Sequence, residues 1–257
     1  MRKFTTVLWD VDNTLLDFDY SMRFALTECF RSLGREITEE QIARYDRIND
    51  DYWKRLERGE VTKKQLLRGR FVTLFQEIGI KDVDVEAFRQ EYQIVLGSVY
   101  SFLDDSLSIC KSLQGKVEQY VITNGVAATQ RNKLNLSGLS EVMDGLFISE
   151  EIGCPKPSPL FFDFCLGRLP EKDKSKILIV GDSLTSDIKG GVQAGIPTCW
   201  YHAAGKGGDF PIGGTKDAAV SEFPSDAGGF GGMEIGVDCR PDYVISDLHM
   251  VYNILGV

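Results

Sequence analysis

The chain has 257 residues, a net charge of -9 and 26% charged against 43% hydrophobic residues, which is enough length to bury a large core as one domain or as a domain carrying an insert. The acidic balance comes without a lysine and arginine cluster, so a nucleic-acid polymer is not expected as a partner. No apolar run has the length of a membrane span, and the N-terminus lacks the apolar core and cleavage site of a signal peptide, so no membrane partner and a cytoplasmic location are expected. The six cysteines (Cys29, Cys110, Cys154, Cys165, Cys199, Cys239) show no C-x-x-C pairing and read as reduced thiols. With only two histidines, His202 and His249, proton transfer falls to other groups.

The first element is the run Phe4 to Thr14. It is apolar and β-branched until it ends in Asp10 and Asp12, and reads as a buried strand that delivers carboxylates to the rim of a sheet. A polar turn closing the strand is the bland alternative.

Helical spacing follows for about eighty residues. Phe18, Met22, Ala25, Leu26, Cys29, Phe30 and Leu33 share one face, and Gly34 stands where a C-terminal cap belongs. Thr38-x-x-Gln41 and Thr62-x-x-Gln65 are capping-box patterns that open a second helix, closed by Gly59, and a third, closed by Gly79. Asp84 caps a fourth, which reaches Gly97. Four antiparallel helices inserted after a strand of this kind predict a small bundle acting as a lid, or else a plain packing layer.

From residue 100 strand and helix alternate. Strands are predicted at 117–122, 146–148, 176–180, 198–201 and 243–245, with helices at 104–113, 126–136, from Pro159 to Gly167, from Thr185 and from Asp247. Ser158 suits an N-cap and Pro159 the first helical position, while Gly195-Ile196-Pro197 is a stop. This alternation implies an α/β fold, a Rossmann-like three-layer core with a parallel sheet, plus the inserted four-helix-bundle cap. The predicted domains are a core of 1–16 and 99–257 and a cap of 17–98. Residues 203–241 carry ten glycines and neither periodicity, and read as a mobile connection.

In a parallel sheet the C-terminal strand ends share one edge, so Asp10 and Asp12, Thr123 to Gly125, and Asp182 with Asp187 converge there, joined by Lys156 from just before a helix. Carboxylates and a backbone oxygen make a hard-oxygen site for Mg2+; hydroxyl, amide and ammonium groups suit a phosphate. Asp10, Asp12, Asp182 and Asp187 bring -4 and Mg2+ with Lys156 brings +3, so one protonated carboxyl neutralises the site. That proton is expected on Asp12, as a general acid.

The ordered set Asp10-x-Asp12-x-Thr14, Thr123-Asn124-Gly125, Lys156-Pro157 and Gly181-Asp182-x-x-x-x-Asp187 resembles the four motifs of the haloacid dehalogenase-like hydrolase superfamily. The resemblance implies Asp10 as the nucleophile that becomes an aspartyl phosphate and Asp12 as the acid and base. It implies Mg2+ held by Asp10, the Asp12 carbonyl and Asp182, with Asp187 assisting. Thr123, Asn124 and Gly125 would bind the phosphoryl oxygens, and Lys156 would steady nucleophile and phosphate. The second aspartate favours phosphoryl transfer over dehalogenation, and the insert looks like a C1 cap. Trp9 to Phe18, Gly69-Arg70-Phe71, Ser149 to Gly153 and Thr198-Cys199-Trp200 are similar to the pyrimidine 5'-nucleotidase branch. The implied partner is a small phosphorylated metabolite, a nucleoside monophosphate. A phosphatase or mutase for a sugar phosphate or phosphoglycolate is the alternative, and monomer and homodimer both stay open. Trp53 and Arg70 are candidate substrate contacts in the cap; core packing for Trp53 and a surface ion pair for Arg70 are the competing readings. A phospho-aspartate receiver would be about half this length and lack the insert, and a silent binding module would not keep every one of these positions.

Overall fold

The computed structural model describes residues 3–203 and 239–257, together with the pairs 221–222, 229–230 and 233–234. The chain divides into two compact units, one of residues 1–17, 102–125 and 138–257, the other of 18–101 and 126–137.

The first unit is built on a sheet. Strands β1 (Thr6–Trp9), β2 (Glu118–Thr123), β3 (Gly145–Ile148), β4 (Ile177–Gly181), β5 (Thr198–Tyr201) and β9 (Tyr243–Ile245) are joined by the two-residue strands β6 (Ser221–Glu222), β7 (Gly229–Phe230) and β8 (Met233–Glu234). The order is β3-β2-β1-β4-β5-β9-β6; the first six are parallel, β6 is antiparallel at the edge, and β7 pairs with β8 apart. Every residue of β1 and β4 is buried, because helices cover both faces and leave no solvated side to alternate toward. On one face Phe161, Phe162 and Cys165 of α8 (Pro159–Arg168) pack on Leu8, Ile122 and Ile179. On the other, Trp9 donates to Gln119 Oε1 at 3.3 Å, and Gln119 Nε2 donates to the Cys110 carbonyl of α5 (Ser106–Leu113) at 2.9 Å. This is the three-layer α/β core expected. The chain leaves β1 for β2 and β3 on one side and returns to β4 and β5 on the other, so the order in which strands are added reverses between β1 and β4, where open sheets of this kind bind ligands.

The second unit holds α1 (Phe18–Ser32), α2 (Glu39–Glu57), α3 (Lys63–Glu77) and α4 (Val85–Leu96), with α6 (Ala127–Ser137). Both capping boxes form: Thr38 and Thr62 accept from the Gln41 and Gln65 backbones and are bonded in return, and Asp84 accepts from Glu86 and Ala87. Gly34 and Gly59 take φ of +67 and +73, the left-handed turn out of α1 and α2. Gly97, by contrast, stays right-handed at φ -78; what favours glycine there is the close approach of α6, since a Cβ would lie 3.3 Å from Thr129 Cα. Phe30, Tyr45, Phe71, Phe75, Phe88 and Tyr92 form the core in mostly edge-to-face pairs, such as Phe71 on Tyr92 at 5.0 Å. Each such ring stabilises the unit by about 1.5–3 kcal/mol on burial.

Two local readings differ from the structure. The segment after β4 is not an α-helix from Thr185: it begins as a π-helical turn, Leu184–Ile188, and becomes α-helical only over α9 (Lys189–Ala194). Ser158 precedes Pro159 as expected but makes no side-chain cap bond. The short α7 (Ser149–Ile152) follows β3, and α10 (Val251–Leu255) closes the chain. All six cysteines are free. No helix among the described residues is long and apolar enough to cross a membrane. The mobile reading of 203–241 falls, apart from the segment's ends and three short strands, outside the described residues.

Candidate active site

The site lies where β1 meets β4. Their register pairs Trp9 with Val180, and the Asp10 amide donates to the Val180 carbonyl at 2.9 Å, so Asp10 leaves its strand level with Gly181 and one residue short of Asp182. After Asp10 the chain turns at once: the amides of Leu15 and Leu16 both donate to the Val11 carbonyl at 2.9 Å, and Asn13 takes a left-handed φ of 63, which a short polar side chain tolerates. Asp12 pairs with Leu16 in an isolated bridge.

Carboxylate oxygens of Asp10, Asp182 and Asp187 lie within 4.8 Å of one another. Gly181 makes this possible. A Cβ there would fall 2.4 Å from Asp187 Cγ, so only glycine lets the carboxylate fold back over the strand end. The Ser183 amide donates to Asp187 Oδ2 at 3.2 Å and Ser183 Oγ accepts from the Ser186 amide at 3.2 Å, which fixes the π-helical turn. A donor set of three carboxylates fits a hard divalent cation that keeps water or a phosphate in its remaining positions.

Lys156, 1% exposed, is the cation present. Its Nζ donates to Asp10 Oδ1 at 2.7 Å, to Asp187 Oδ1 at 2.6 Å and to the Ile122 carbonyl at 2.9 Å, which uses all three of its protons. Asn124 holds the lysine's backbone from both sides: Nδ2 donates to the Lys156 carbonyl at 2.9 Å, and Oδ1 accepts from the Lys156 amide at 2.8 Å. The Asn124 side chain is thereby committed to placing Lys156. Thr123, at the end of β2 and 1% exposed, accepts from the Gly125 amide at 3.0 Å.

Burial is the largest influence on Asp10 and lifts its carboxyl to about 7 against the pull of Lys156, with the charges of Asp187 and Asp12 adding to the rise. A raised carboxyl at Asp10 is not among the sequence expectations; it follows from the enclosure of Asp10 by the sheet. Burial acts to lower the Lys156 pKa but is outweighed by Asp10 and Asp187, which hold it above the ordinary lysine value. Asp10 thus carries more protons folded than unfolded, and its contribution to stability is complete below the unfolded value and is lost as pH rises through the folded one. Metal-free protein is expected to melt at a higher temperature at about pH 5 than at about pH 8, and Asp10→Asn should flatten that trend. Calorimetry in a chelator across that range measures it.

Of the remaining candidates, Trp53 and Arg70 belong to the helical unit. Trp53 is half-buried against Leu56, Leu66 and Leu67. Arg70 is no surface ion pair: it is 1% exposed, donates from Nη1 to Asn49 Oδ1 at 2.6 Å, and lies over the rings of Phe71 and Tyr92 at 5.0 and 5.3 Å. Its Nε and Nη2 have no hydrogen-bond partner among the described residues. The sequence did not single out the clasp role of Asn124, Ser183 or Asn49; the one local sign was Gly181 directly before Asp182, a requirement that becomes visible once Asp187 is placed.

Several known proteins are similar to this one. YfnB of Bacillus subtilis, a HAD-hydrolase, is 36% identical over 202 residues, 79% of this chain and 86% of YfnB. Its crystal structure, bound to magnesium and showing interdomain movement, matches with a TM-score of 0.83 at 30% identity over 99% of this chain and 100% of that one. The pyrimidine 5'-nucleotidase PynA of Streptococcus pneumoniae is 36% identical over 197 residues, 76% of this chain and 83% of PynA. The pyrimidine 5'-nucleotidase YjjG of Escherichia coli is 31% identical over 201 residues, 78% of this chain and 87% of YjjG. Residues 4–195 match the haloacid dehalogenase-like hydrolase family, and the chain belongs to it.

Proposed function

We propose that the protein is a Mg2+-dependent phosphomonoester hydrolase that forms an aspartyl phosphate on Asp10 and acts on nucleoside monophosphates, pyrimidine nucleotides among them. The chemistry is carried by one observation: Asp10 is held at the switch point of the sheet with one oxygen on Lys156 Nζ at 2.7 Å, among carboxylates that fit a divalent cation. The substrate class rests on the two nucleotidases that resemble the chain over most of their length.

In this reading Asp10, Asp182 and Asp187, with the Asp12 carbonyl, would hold Mg2+, which would supply positive charge against the phosphoryl oxygens. The Lys156 ammonium keeps one Asp10 oxygen fixed and leaves the other to attack phosphorus in line with the leaving alcohol. Asp12, on the turn two residues away, protonates that alcohol and then takes a proton from the water that opens the acyl phosphate. Thr123 and the amides of Asn124 and Gly125 orient the phosphoryl oxygens, which Lys156 also neutralises. Residues 17–98 would form the cap and 1–16 and 99–257 the core; Trp53 is the cap residue proposed to contact substrate, whereas Arg70, 1% exposed, serves the interior of the helical unit. The enzyme works in the cytoplasm.

Phosphate release across a panel of monophosphates tests the substrate class. UMP, CMP or their noncanonical analogues should exceed phosphoglycolate and sugar phosphates by at least about ten-fold in kcat/KM, a gap of about 1.4 kcal/mol. Equal or reversed rates would remove the nucleotide reading and leave the sugar-phosphate alternative.

A further inference from the structure

Asp182 is held differently from the other two carboxylates of the trio. Asp10 and Asp187 are both tied by Lys156, whereas a bond to the Asp182 backbone comes from β5: the indole Nε1 of Trp200 donates to the Asp182 carbonyl at 2.8 Å. Trp200 is 7% exposed and sits in register with Gly181, the residue before Asp182. It shares a buried cluster with Ile188 and Val244, against which Leu184 and Val192 pack, so both ends of the π-helical turn 184–188 that contains Asp187 join the cluster that holds Trp200. The His202 ring lies tilted beside it, with centroids 4.9 Å apart.

We infer that Trp200 is a positioning residue for the cation site, fixing the Asp182 peptide and bracing the turn that carries Asp187. The physical case is one of preorganisation. Three carboxylates that face one another repel, and in the absence of a cation the loop after β4 would relax outward. Ser183 and Gly181 restrain it near Asp187, and the indole N–H of Trp200, on a buried ring, holds the Asp182 carbonyl and so the peptide that directs the Asp182 side chain. Outer-shell partners of this kind typically alter metal affinity by 10- to 100-fold, on the order of magnitude expected here. Trp200 would not touch substrate or the reacting atoms.

The inference rests on the reading of Asp10, Asp182 and Asp187 as a Mg2+ site, and binding measured without substrate separates the two. Mg2+ is titrated calorimetrically into wild type and Trp200→Phe, which keeps an aromatic ring and loses the N–H; thermal unfolding of both is recorded alongside. Trp200→Phe should bind Mg2+ about ten-fold more weakly, by an amount unrelated to any change in melting temperature. Binding within about two-fold of wild type, even with a lowered melting temperature, would overturn the role of Trp200 and leave the cation site intact. A wild type that binds no Mg2+ would overturn both. Should Trp200→Phe fail to fold, the wild-type protein with labelled indole nitrogens decides: of the three tryptophans, with Trp9 and Trp53 assigned by Phe substitution, the Trp200 N–H resonance should move along the Mg2+ isotherm. A Trp200 resonance that stays fixed while Mg2+ binds contradicts the inference.

Discussion

Replacing Asp10 by Asn should yield a folded protein with turnover reduced by at least about 10^4-fold. The amide keeps an oxygen that can accept the Lys156 bond now made at 2.7 Å, and Asp187 remains as the lysine's counter-charge at 2.6 Å, so the core of the site stays satisfied. It cannot attack phosphorus, because its nitrogen lone pair is delocalised and its oxygen carries no full charge. The same change deletes the carboxyl that burial holds up to about 7, which is why it should also abolish the pH trend in melting temperature. Retained hydrolysis in Asp10→Asn, measured by phosphate release, would remove Asp10 as nucleophile; a loss of both activity and fold would leave the structural account of the site in error instead.

Lys156→Met should be the more damaging change to stability. The side chain loses its terminal ammonium and its charge, leaving Asp10 and Asp187 facing each other with 10% and 1% of their side chains exposed and no lysine charge between them. Breaking a buried ion pair from one side costs about 3–5 kcal/mol, and here one ammonium serves two carboxylates and the Ile122 carbonyl. Part of that cost is avoided if a carboxyl takes up a proton, so the destabilisation should be smaller in acid than in base. Activity should fall by about 10^2–10^3-fold, the usual effect of losing one charge-stabilising donor. Denaturant unfolding with and without Mg2+ checks this: added Mg2+ should recover stability in Lys156→Met to a larger extent than in wild type, because the ion supplies the missing charge. An unfolding midpoint equal to wild type at neutral pH would show that the triple contact of Lys156 contributes little.

What could be read from the sequence was what is decided locally or by topology. Thr38 with Gln41 and Thr62 with Gln65 form their boxes over three residues, so neighbours in the chain settle them. Strand ends converge on one edge in any parallel sheet, which is why Asp10, Asp182, Asp187 and Lys156 could be gathered before any coordinates were known. The family motif set then supplied the roles. Three features escaped because packing between distant segments decides them. The rise in the Asp10 carboxyl depends on how deeply the sheet encloses it, which the pattern Asp-x-Asp leaves open. Arg70 appeared fit for a surface pair, yet α3 turns it inward onto Asn49 and three rings, a placement fixed by the helix-to-helix packing of α2 and α4 against it. The π-helical turn at 184–188 reads as plain helix by spacing; it widens where Asp187 folds back over Gly181 and Ser183 caps it, and neither contact has a period that a sequence displays.

Phosphate should pass through Asp10. Quenching the wild-type enzyme during turnover of UMP carrying a labelled phosphate in Mg2+, digesting it and analysing the peptides by mass spectrometry locates that phosphate. Acid-stable, hydroxylamine-labile label is expected on the peptide that contains Asp10, formed with a burst of nucleoside and absent from Asp10→Asn. Steady hydrolysis with no protein-bound phosphate at any quench time, or label on a residue other than Asp10, would contradict it.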